Sequence, residues 1–223
     1  MATPAGENTP MDSDRSKTRF LTAIGHDLRQ PLQALLLYLA ALDRRVKDEE
    51  TRTILGKADQ AAQSLACMIE GLIHLARIDA GKVETEFHSV DIQEIFDEMV
   101  ATVPGATADA TALAVRSDPA LLRAIMQQLV SNADTHGGGK PHLSATSTDA
   151  GVEIQVRDDG PGIEAKDQAR IFEEFTRLDG APSTGLGIGL AIAAKLAALL
   201  SHKIEVRSAL GEGATFVVHA APA

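Results

Sequence analysis

Apolar residues recur every three or four positions along two stretches of the N-terminal third, which is the period of helices that bury one face. The first stretch begins near Ser16, and a charged segment, Asp43–Arg52, separates it from the second, which ends at Gly81. Glycine is a common helix C-cap, and Pro31 predicts a local kink in the first helix. The apolar positions are Phe20, Ile24, Leu28, Leu32, Leu35, Leu39, Leu42 and Val46, then Ile54, Ala58, Ala61, Leu65, Met68, Leu72, Leu75 and Ile78. The pattern predicts a hairpin of two long helices.

One such hairpin has too little partner surface to bury both apolar stripes. Two copies would bury them together as a four-helix bundle. We therefore expect a homodimer formed through the hairpin.

The second half of the chain mixes helical periodicity with strand-like alternation, and it ends in a strand–turn–strand pattern in which Gly211 and Gly213 supply the turn. The predicted helices are Ile92–Val100, Leu121–Ala133 and Leu190–Leu200, and the predicted strands are Val152–Val156 and the IEVRS and ATFVVH segments. The fold class is therefore predicted as α+β, with a helical hairpin followed by an α/β sandwich.

The predicted domains follow these changes of pattern. Residues 1–15 are small, polar and proline-containing, and they are predicted to be a disordered lead. Residues 16–86 form the hairpin, residues 87–91 a linker that acts as a hinge, and residues 92–223 the α/β domain.

Composition excludes several classes of protein. Hydrophobic residues make up 44% of the chain and charged residues 23%, as in ordinary globular proteins, and the net charge of −10 shows no basic face for nucleic acid. A single cysteine, Cys67, excludes an internal disulfide. The uncharged apolar run over residues 30–42 is too short to cross a bilayer, and no signal peptide opens the chain. We expect a soluble, cytoplasmic protein without a membrane segment.

His26 has a setting that suits chemistry. At about 100° per residue, it lies about 200° from Ile24 on the first helix and faces solvent. An imidazole is largely neutral near pH 7, so a ring nitrogen can act as a nucleophile, and the adjacent Asp27 can orient the ring or accept its proton.

The segment around His26, FLTAIGHDLRQPL, resembles the histidine box of bacterial sensor histidine kinases. In that family a helical hairpin dimerises and carries a phosphorylated histidine. The resemblance implies that His26 is the phospho-acceptor and that Asp27 assists its attack. It also implies that the chain can be the cytoplasmic core of a longer or membrane-bound sensor. Gln30 stands where many relatives carry Thr or Asn, so the resemblance does not extend to phosphatase activity.

The α/β half carries polar groups at positions suited to a nucleotide. Asn132 lies near the end of a predicted helix, and Asp158 follows a predicted strand. Gly160 and Gly162 flank a proline directly afterwards, which lets backbone pass close to a ligand. The carboxylate of Asp158 can accept a hydrogen bond from an exocyclic amine such as that of adenine.

Three glycines, Gly185, Gly187 and Gly189, precede the last predicted helix. Unpaired N–H groups at a helix N-terminus suit phosphate. The spacing GxGxG with no strand leading into it is not a dinucleotide-binding fingerprint, and no Lys-Ser or Lys-Thr follows as in a Walker loop.

Together and in this order, these motifs resemble the catalytic domain of histidine kinases, which belongs to an ATPase superfamily shared with DNA gyrase. The resemblance implies that ATP and Mg²⁺ are the cofactors, that Asn132 coordinates the metal and that Asp158 contacts adenine. The remaining motif residues are Gly160 and Gly162 in the first glycine box, Phe172 and Phe175 in the phenylalanine box, and Gly185, Gly187 and Gly189 in the second glycine box.

The chain departs from this family pattern in three places. Gln128 stands where hydrolytic relatives carry a glutamate, and an amide cannot act as a general base. Thr135 and His136 replace the usual basic and aromatic residues, which removes one cationic phosphate contact. Only the residues Thr176–Thr184 separate the phenylalanine box from the second glycine box, so the ATP lid is short.

The sequence thus predicts a dimeric kinase that phosphorylates His26 from Mg-ATP and passes the phosphoryl group to a response-regulator aspartate. Two alternatives stay open. One is a degenerate phosphotransfer or scaffold protein with weak ATP binding, which the short lid and Thr135 favour. The other is a plain ATPase of the same superfamily, which Gln128 disfavours.

Overall fold

A computed structural model describes residues 31–43, 46, 48, 51–58, 62, 65, 69, 78, 80–81, 83–138, 140–178 and 187–223. The chain divides into two compact units, Met1–Val83 and Glu84–Ala223. No described helix combines the length and hydrophobicity needed to span a lipid bilayer.

The first unit contains two helical segments. Helix α1 comprises residues 31–43 and helix α2 residues 51–58, with further helical positions at 62, 65, 69 and 78. Asp48 caps α2, because the backbone N–H and the hydroxyl of Thr51 both donate to its Oδ2 atom, at 2.8 and 2.6 Å. Gly81 adopts a φ of 63° and donates its N–H to the carbonyl of Ile78, as expected of a C-cap. The predicted polar loop and helix end are confirmed, whereas the part of the first predicted helix before Pro31 lies outside the described residues.

Among the described residues of the hairpin, the first predicted apolar stripe is buried at Leu32 and Leu39, whereas the second predicted stripe is wrong, because Ala62 is buried instead and Leu55 and Ile69 pack beside it. Leu32, Leu39 and Ala62 form the core of the hairpin. The stripe residues Leu35, Leu42, Ile54 and Leu65 remain between 45% and 62% exposed. The sequence did not identify the buried face of the second helix, because apolar residues occur on more of its circumference than one partner helix covers.

The second unit contains two sheets. Strands β1 (His88–Asp91) and β3 (Ala114–Ser117) pair antiparallel. The larger sheet has the order β2-β4-β5-β7-β6, in which only the β2–β4 pair is parallel. Its strands are β2 (Thr107–Ala108), β4 (His142–Thr148), β5 (Gly151–Asp158), β6 (Lys203–Ser208) and β7 (Ala214–Ala220).

Three helices form the second layer of this unit: α3 (Ile92–Thr102), α4 (Pro119–His136) and α5 (Gly189–Leu199). Helix α4 packs against α5 and β5, and α5 also packs against β6. The core between the layers is apolar and fully buried, and its largest side chains include Phe96, Leu122, Ile125, Leu129, Ile154, Ile192 and Phe216. The predicted α/β sandwich, its three helices and its closing hairpin are confirmed.

The predicted linker at residues 87–91 is wrong, because His88–Asp91 form a paired strand of the second unit. Val90 is buried in this strand, and Asp91 caps α3 by accepting the N–H of Gln93 at 2.8 Å. A strand with a single buried apolar residue gives too weak a pattern to be recognised in the sequence. The boundary between the units lies earlier, after Val83.

A buried histidine gives this unit a testable pH dependence. His202 is 7% exposed, its Nε2 lies 2.9 Å from the Ser117 hydroxyl, and burial lowers its pKa. A lowered pKa in the folded state means that the unfolded chain binds the proton more readily. Stability is therefore complete above the unfolded pKa of about 6.5 and is lost as the pH falls below it.

We expect the free energy of unfolding to be lower at pH 5.5 than at pH 7.5, as measured by urea denaturation followed by circular dichroism. The variant His202→Gln should show a smaller difference between the two pH values, because it cannot take up this proton. The control His88→Gln changes an exposed histidine and should retain the parental difference. If His202→Gln kept the parental difference in unfolding free energy between the two pH values, the pH dependence could not be assigned to His202.

Candidate functional site

Helix α4 presents a polar face toward the start of α5. Gln128, Asn132 and His136 are spaced four residues apart and therefore lie on one side of the helix. The apolar side, which includes Leu129, is buried in the core. Asn132 is half-buried, whereas His136 is exposed at the last turn. The face combines amide groups and an imidazole at the helix end that lies nearest to Asp158.

Asp158 is the last residue of β5, and its side chain points to the core side of the sheet. The alternation that buries Val152, Ile154 and Val156 carries Asp158 to the same side, where it is only 5% exposed. Its Oδ1 atom accepts the N–H of Gly160 at 2.9 Å and the N–H of Ala214 at 3.1 Å. Among the described residues, Oδ2 has no hydrogen-bond partner. The carboxylate is thus held in place and has one oxygen left for a donor on a ligand.

Two glycines allow the backbone to pack closely around this carboxylate. A Cβ atom on Gly137 would overlap the Asp158 side chain and lie 2.5 Å from its Cγ. A Cβ atom on Gly160 would lie 2.8 Å from the Cα of Gly137 and 2.9 Å from Oδ1 of Asp158. The end of α4, the end of β5 and the loop after β5 therefore meet at one point.

Gly162 packs against a neighbouring turn, whereas the sequence suggested that it lets backbone pass close to a ligand. It has a φ of 75°, and its Cβ position is occupied by the carbonyl of Ala209, so this glycine packs against the β6–β7 turn. Ser208 in that turn region accepts the N–H of Ile163 at 2.9 Å and donates to the carbonyl of Gly213 at 2.5 Å. These contacts anchor the loop that follows Asp158.

The start of α5 also depends on close glycine packing. Gly187 has a φ of 69° and packs against the carbonyl of Thr176. A Cβ atom on Gly189 would lie 2.9 Å from Oε1 of Gln128. Ile188, the residue before the helix, supplies no capping side chain, so within the described residues the first N–H groups of α5 have no side-chain cap. Gly185 lies outside the described residues.

His136 and Arg177, which the sequence analysis did not assign to the site, lie beside it. Although His136 is exposed as a whole, partial burial of its ring lowers its pKa, the positive charge of Arg177 lowers it further, and the nearby Asp158 partly offsets both effects. The Cγ atom of Arg177 lies 3.1 Å from the Cβ position of Gly187. Arg177 lies in the segment predicted as a lid, where its charge was the only signal available. It brings positive charge to the region between α4 and α5.

The two phenylalanines of the predicted box have different environments. Phe172 contacts Phe216 edge to face, with ring centroids 6.5 Å apart, and so belongs to the core. Phe175 is 60% exposed and has a φ of 61°, which is unusual for a residue with a side chain. Core packing therefore explains why position 172 is aromatic, but it does not explain Phe175.

The structure brings Asp158 and Gly160 together with the end of α4, and it brings Gly187 and Gly189 to the start of α5 beside the helix that carries Asn132. The predicted catalytic pair, His26 and Asp27, lies outside the described residues, as does Gln30. A groove of about 730 Å³ lies on the opposite side of the sheet, lined by residues that include Arg157, Asp159 and Arg207. Asp159 alternates with Asp158, so this groove does not contain the Asp158 side chain.

Two family models match the chain. Residues 16–81 match the His Kinase A (phospho-acceptor) domain, and residues 117–223 match the histidine kinase-, DNA gyrase B- and HSP90-like ATPase domain.

The chain is also similar to curated proteins over most of its length. The chain is 30% identical over 219 residues to the swarming motility regulation sensor protein RssA of Serratia marcescens, with 92% of this chain and 47% of the relative covered. It is 33% identical to the sensor-like histidine kinase SenX3 of Mycolicibacterium smegmatis, with coverages of 95% and 59%. The chain thus spans about half the length of these relatives.

Among solved structures, full-length ShkA in complex with AMPPNP matches with a TM-score of 0.72 and 28% identity, over 92% of this chain and 46% of that one. The histidine kinase AdeS of Acinetobacter baumannii has the same fold, with a TM-score of 0.58 and 20% identity.

Proposed function

The chain belongs to the sensor histidine kinases, of which it contains the catalytic core, and on that premise we propose that it phosphorylates His26 from Mg-ATP and passes the phosphoryl group to a response-regulator aspartate. The observation that best supports ATP as the donor is the Asp158 carboxylate. It is buried, it is fixed by two backbone N–H groups through Oδ1, and its Oδ2 can accept the exocyclic amine of adenine.

The residues around Asp158 fit a magnesium nucleotide. Asn132 is half-buried on the polar face of α4, which it shares with Gln128 and His136. Its amide oxygen is a hard ligand of the kind that Mg²⁺ prefers. When bound, Mg²⁺ neutralises charge on the triphosphate. The start of α5 with Gly189, and Gly187 just before it, supplies N–H donors for the phosphates, the predicted contribution of Gly185 lies outside the described residues, and Arg177 adds a cation nearby. This arrangement supplies the charge that Thr135 lacks.

The proposed transfer needs little covalent chemistry from the protein. A ring nitrogen of His26 forms a bond to the γ-phosphorus, the bond from that phosphorus to the β,γ-bridging oxygen breaks, and ADP leaves. Asp27 accepts or orients the imidazole proton. Because the transition state is loose, positioning and charge neutralisation provide most of the rate enhancement.

Gln128 favours transfer to histidine over hydrolysis of ATP. Its Oε1 atom lies against Gly189 at the start of α5, and its amide group cannot take a proton from water. A plain ATPase is therefore the less favoured alternative. The scaffold alternative is disfavoured by the ordered Asp158 site and by the presence of both kinase domains.

Incubation with γ-labelled ATP and Mg²⁺ tests the proposal. We expect acid-labile, base-stable label on the parent and none on His26→Ala, while His88→Ala, which changes another histidine, is labelled like the parent. A response-regulator receiver domain added afterwards should remove the label. Phosphate release without labelled protein would indicate an ATPase, and absence of both label and nucleotide binding would indicate a scaffold.

Exposed apolar residues of the hairpin helices support a homodimer. On α1, Leu35, Tyr38 and Leu42 lie on one side of the helix, and Ile54 of α2 lies on the same side as Leu65, a later helical position; all five are at least 45% exposed. At about 100° per residue these positions adjoin the buried stripe of each helix. Two hairpins that pack through these faces would form the four-helix bundle expected from the sequence.

A charge on this face should separate the subunits. We expect Leu42→Glu to raise the dimer dissociation constant by at least about a hundredfold, because each copy loses the burial of a leucine, worth about 2 kcal/mol. Light scattering over a concentration series measures this change. The control Leu37→Glu changes a residue that is 71% exposed on the other side of α1, about 140° away, and should remain dimeric. Equal dissociation of both variants would contradict the assigned face.

A further inference from the structure

Asp118 holds two segments of the second unit together. Its Oδ1 atom accepts the N–H groups of Ala120 and Leu121, at 2.9 and 3.0 Å, and so caps α4. Its Oδ2 atom accepts the N–H of Glu86 at 2.9 Å. Glu86 belongs to the irregular segment that leads from the hairpin into β1. One carboxylate thus fixes both the start of α4 and the path by which the chain enters this unit.

The setting of this contact makes it strong. Asp118 is 8% exposed. Burial alone would raise the pKa of this carboxyl, but the N–H groups of Glu86, Leu121 and Ala120 outweigh that effect and lower the pKa below its usual range. Hydrogen bonds to a charged acceptor are about twice as strong as neutral ones. The Glu86 backbone is therefore held firmly at neutral pH.

We infer that Asp118 is a positioning residue that confines the hinge of the kinase to residues 83–85, by latching Glu86 to the start of α4. On the hairpin side, Gly81 ends the helical structure by donating to Ile78. On the other side, residues 88–91 are paired with β3. The inference rests on the proposed function, in which the ATP-binding unit moves between nucleotide loading and phosphoryl delivery.

The length of the hinge affects how often the two reacting groups meet. A longer flexible connection lowers the effective concentration of one unit at the other, roughly as the −3/2 power of its length. Release of Glu86 would extend the free segment from residues 83–85 to residues 83–87. We therefore expect the autophosphorylation rate to fall by about twofold, with nucleotide affinity unchanged.

The hydrogen bond from the Glu86 N–H to Asp118 is called the latch, and two variants remove it, one by changing its acceptor and one by changing its donor. Asp118→Asn keeps an oxygen for the cap but places an amide N–H₂ against the N–H of Glu86, and asparagine caps helices as well as aspartate. Glu86→Pro removes the donor and leaves Asp118 intact. Glu86→Gln keeps the backbone N–H and is the matched control.

Three measurements on the full chain test the inference: hydrogen exchange of the peptide that covers residues 83–87, affinity for a non-hydrolysable ATP analogue, and the initial rate of autophosphorylation. We expect faster exchange and an about twofold lower rate in both latch variants, parental affinity throughout, parental behaviour of Glu86→Gln, and no further loss in the double variant. Equal exchange in parent and variants, or parental rates despite faster exchange, would overturn the inference. A parent that binds the analogue but takes no label contradicts the proposed function instead, and the exchange data still decide whether the latch exists.

Discussion

Gly137→Ala is expected to abolish measurable nucleotide binding at micromolar protein concentration. Gly137 has a φ of −96°, which alanine can adopt, but its Cβ would overlap the side chain of Asp158 and lie 2.5 Å from the carbonyl oxygen of Ala133. The carboxylate would have to leave the position that Gly160 and Ala214 fix. Overpacking of this kind costs about 2 kcal/mol of stability, so the protein should still fold. Calorimetric titration with an ATP analogue measures the loss.

The neighbouring glycine provides the control for this variant. Gly138 has a φ of 83°, and no atom lies within 4 Å of its Cβ position. Gly138→Ala should therefore lose about 1 kcal/mol of stability through backbone strain and keep its nucleotide affinity within about twofold. Normal binding by Gly137→Ala, or equal loss in both variants, would show that the contact with Asp158 does not shape the site.

Asp158→Asn is expected to weaken ATP binding by at least about tenfold and to weaken binding of inosine triphosphate less. The amide oxygen can keep the bonds from Gly160 and Ala214, which leaves the N–H₂ group where Oδ2 stands. A donor at that position opposes the adenine amine but suits the carbonyl at the same place in hypoxanthine. Loss of a hydrogen bond to a charged group costs about 1.5 to 3 kcal/mol. Parallel titrations with the two nucleotides give the ratio of affinities.

Asp159→Asn is the matched control for this variant. Asp159 is the adjacent residue, its side chain is 78% exposed, and it lines the groove on the opposite side of the sheet. We expect its affinities for both nucleotides to equal those of the parent. An unchanged preference for ATP in Asp158→Asn would remove Asp158 from adenine recognition.

The elements that the sequence predicted correctly are those with a strong and complete pattern. β5 carries alternating apolar residues over its whole length, so its end at Asp158 could be placed and the carboxylate assigned to the site. Helices α3, α4 and α5 bury regular apolar faces. Asp158, Gly160 and Gly189 lie at or beside the ends of these elements, and this position follows from the pattern.

The features that the sequence did not predict depend on contacts between distant parts of the chain. β4 has a polar outer side and a single large buried residue, Leu143, so its alternation is weak. The contact between Gly137 and Asp158 joins the end of a helix to the end of a strand, and only the packing of α4 on β5 creates it. Which face of each hairpin helix is buried likewise depends on how the two helices face each other.

The anchoring of the loop after Asp158 to the β6–β7 turn has a practical consequence. Pro161 in that loop accepts the N–H of Gly211 at 2.8 Å, and the adjacent Leu210 is 64% exposed on the turn. Position 210 is therefore a suitable attachment point for an environment-sensitive fluorophore, introduced as Leu210→Cys in a chain whose Cys67 has been replaced. A dye at this position would report on the loop that follows Asp158 without changing any residue of the proposed nucleotide site.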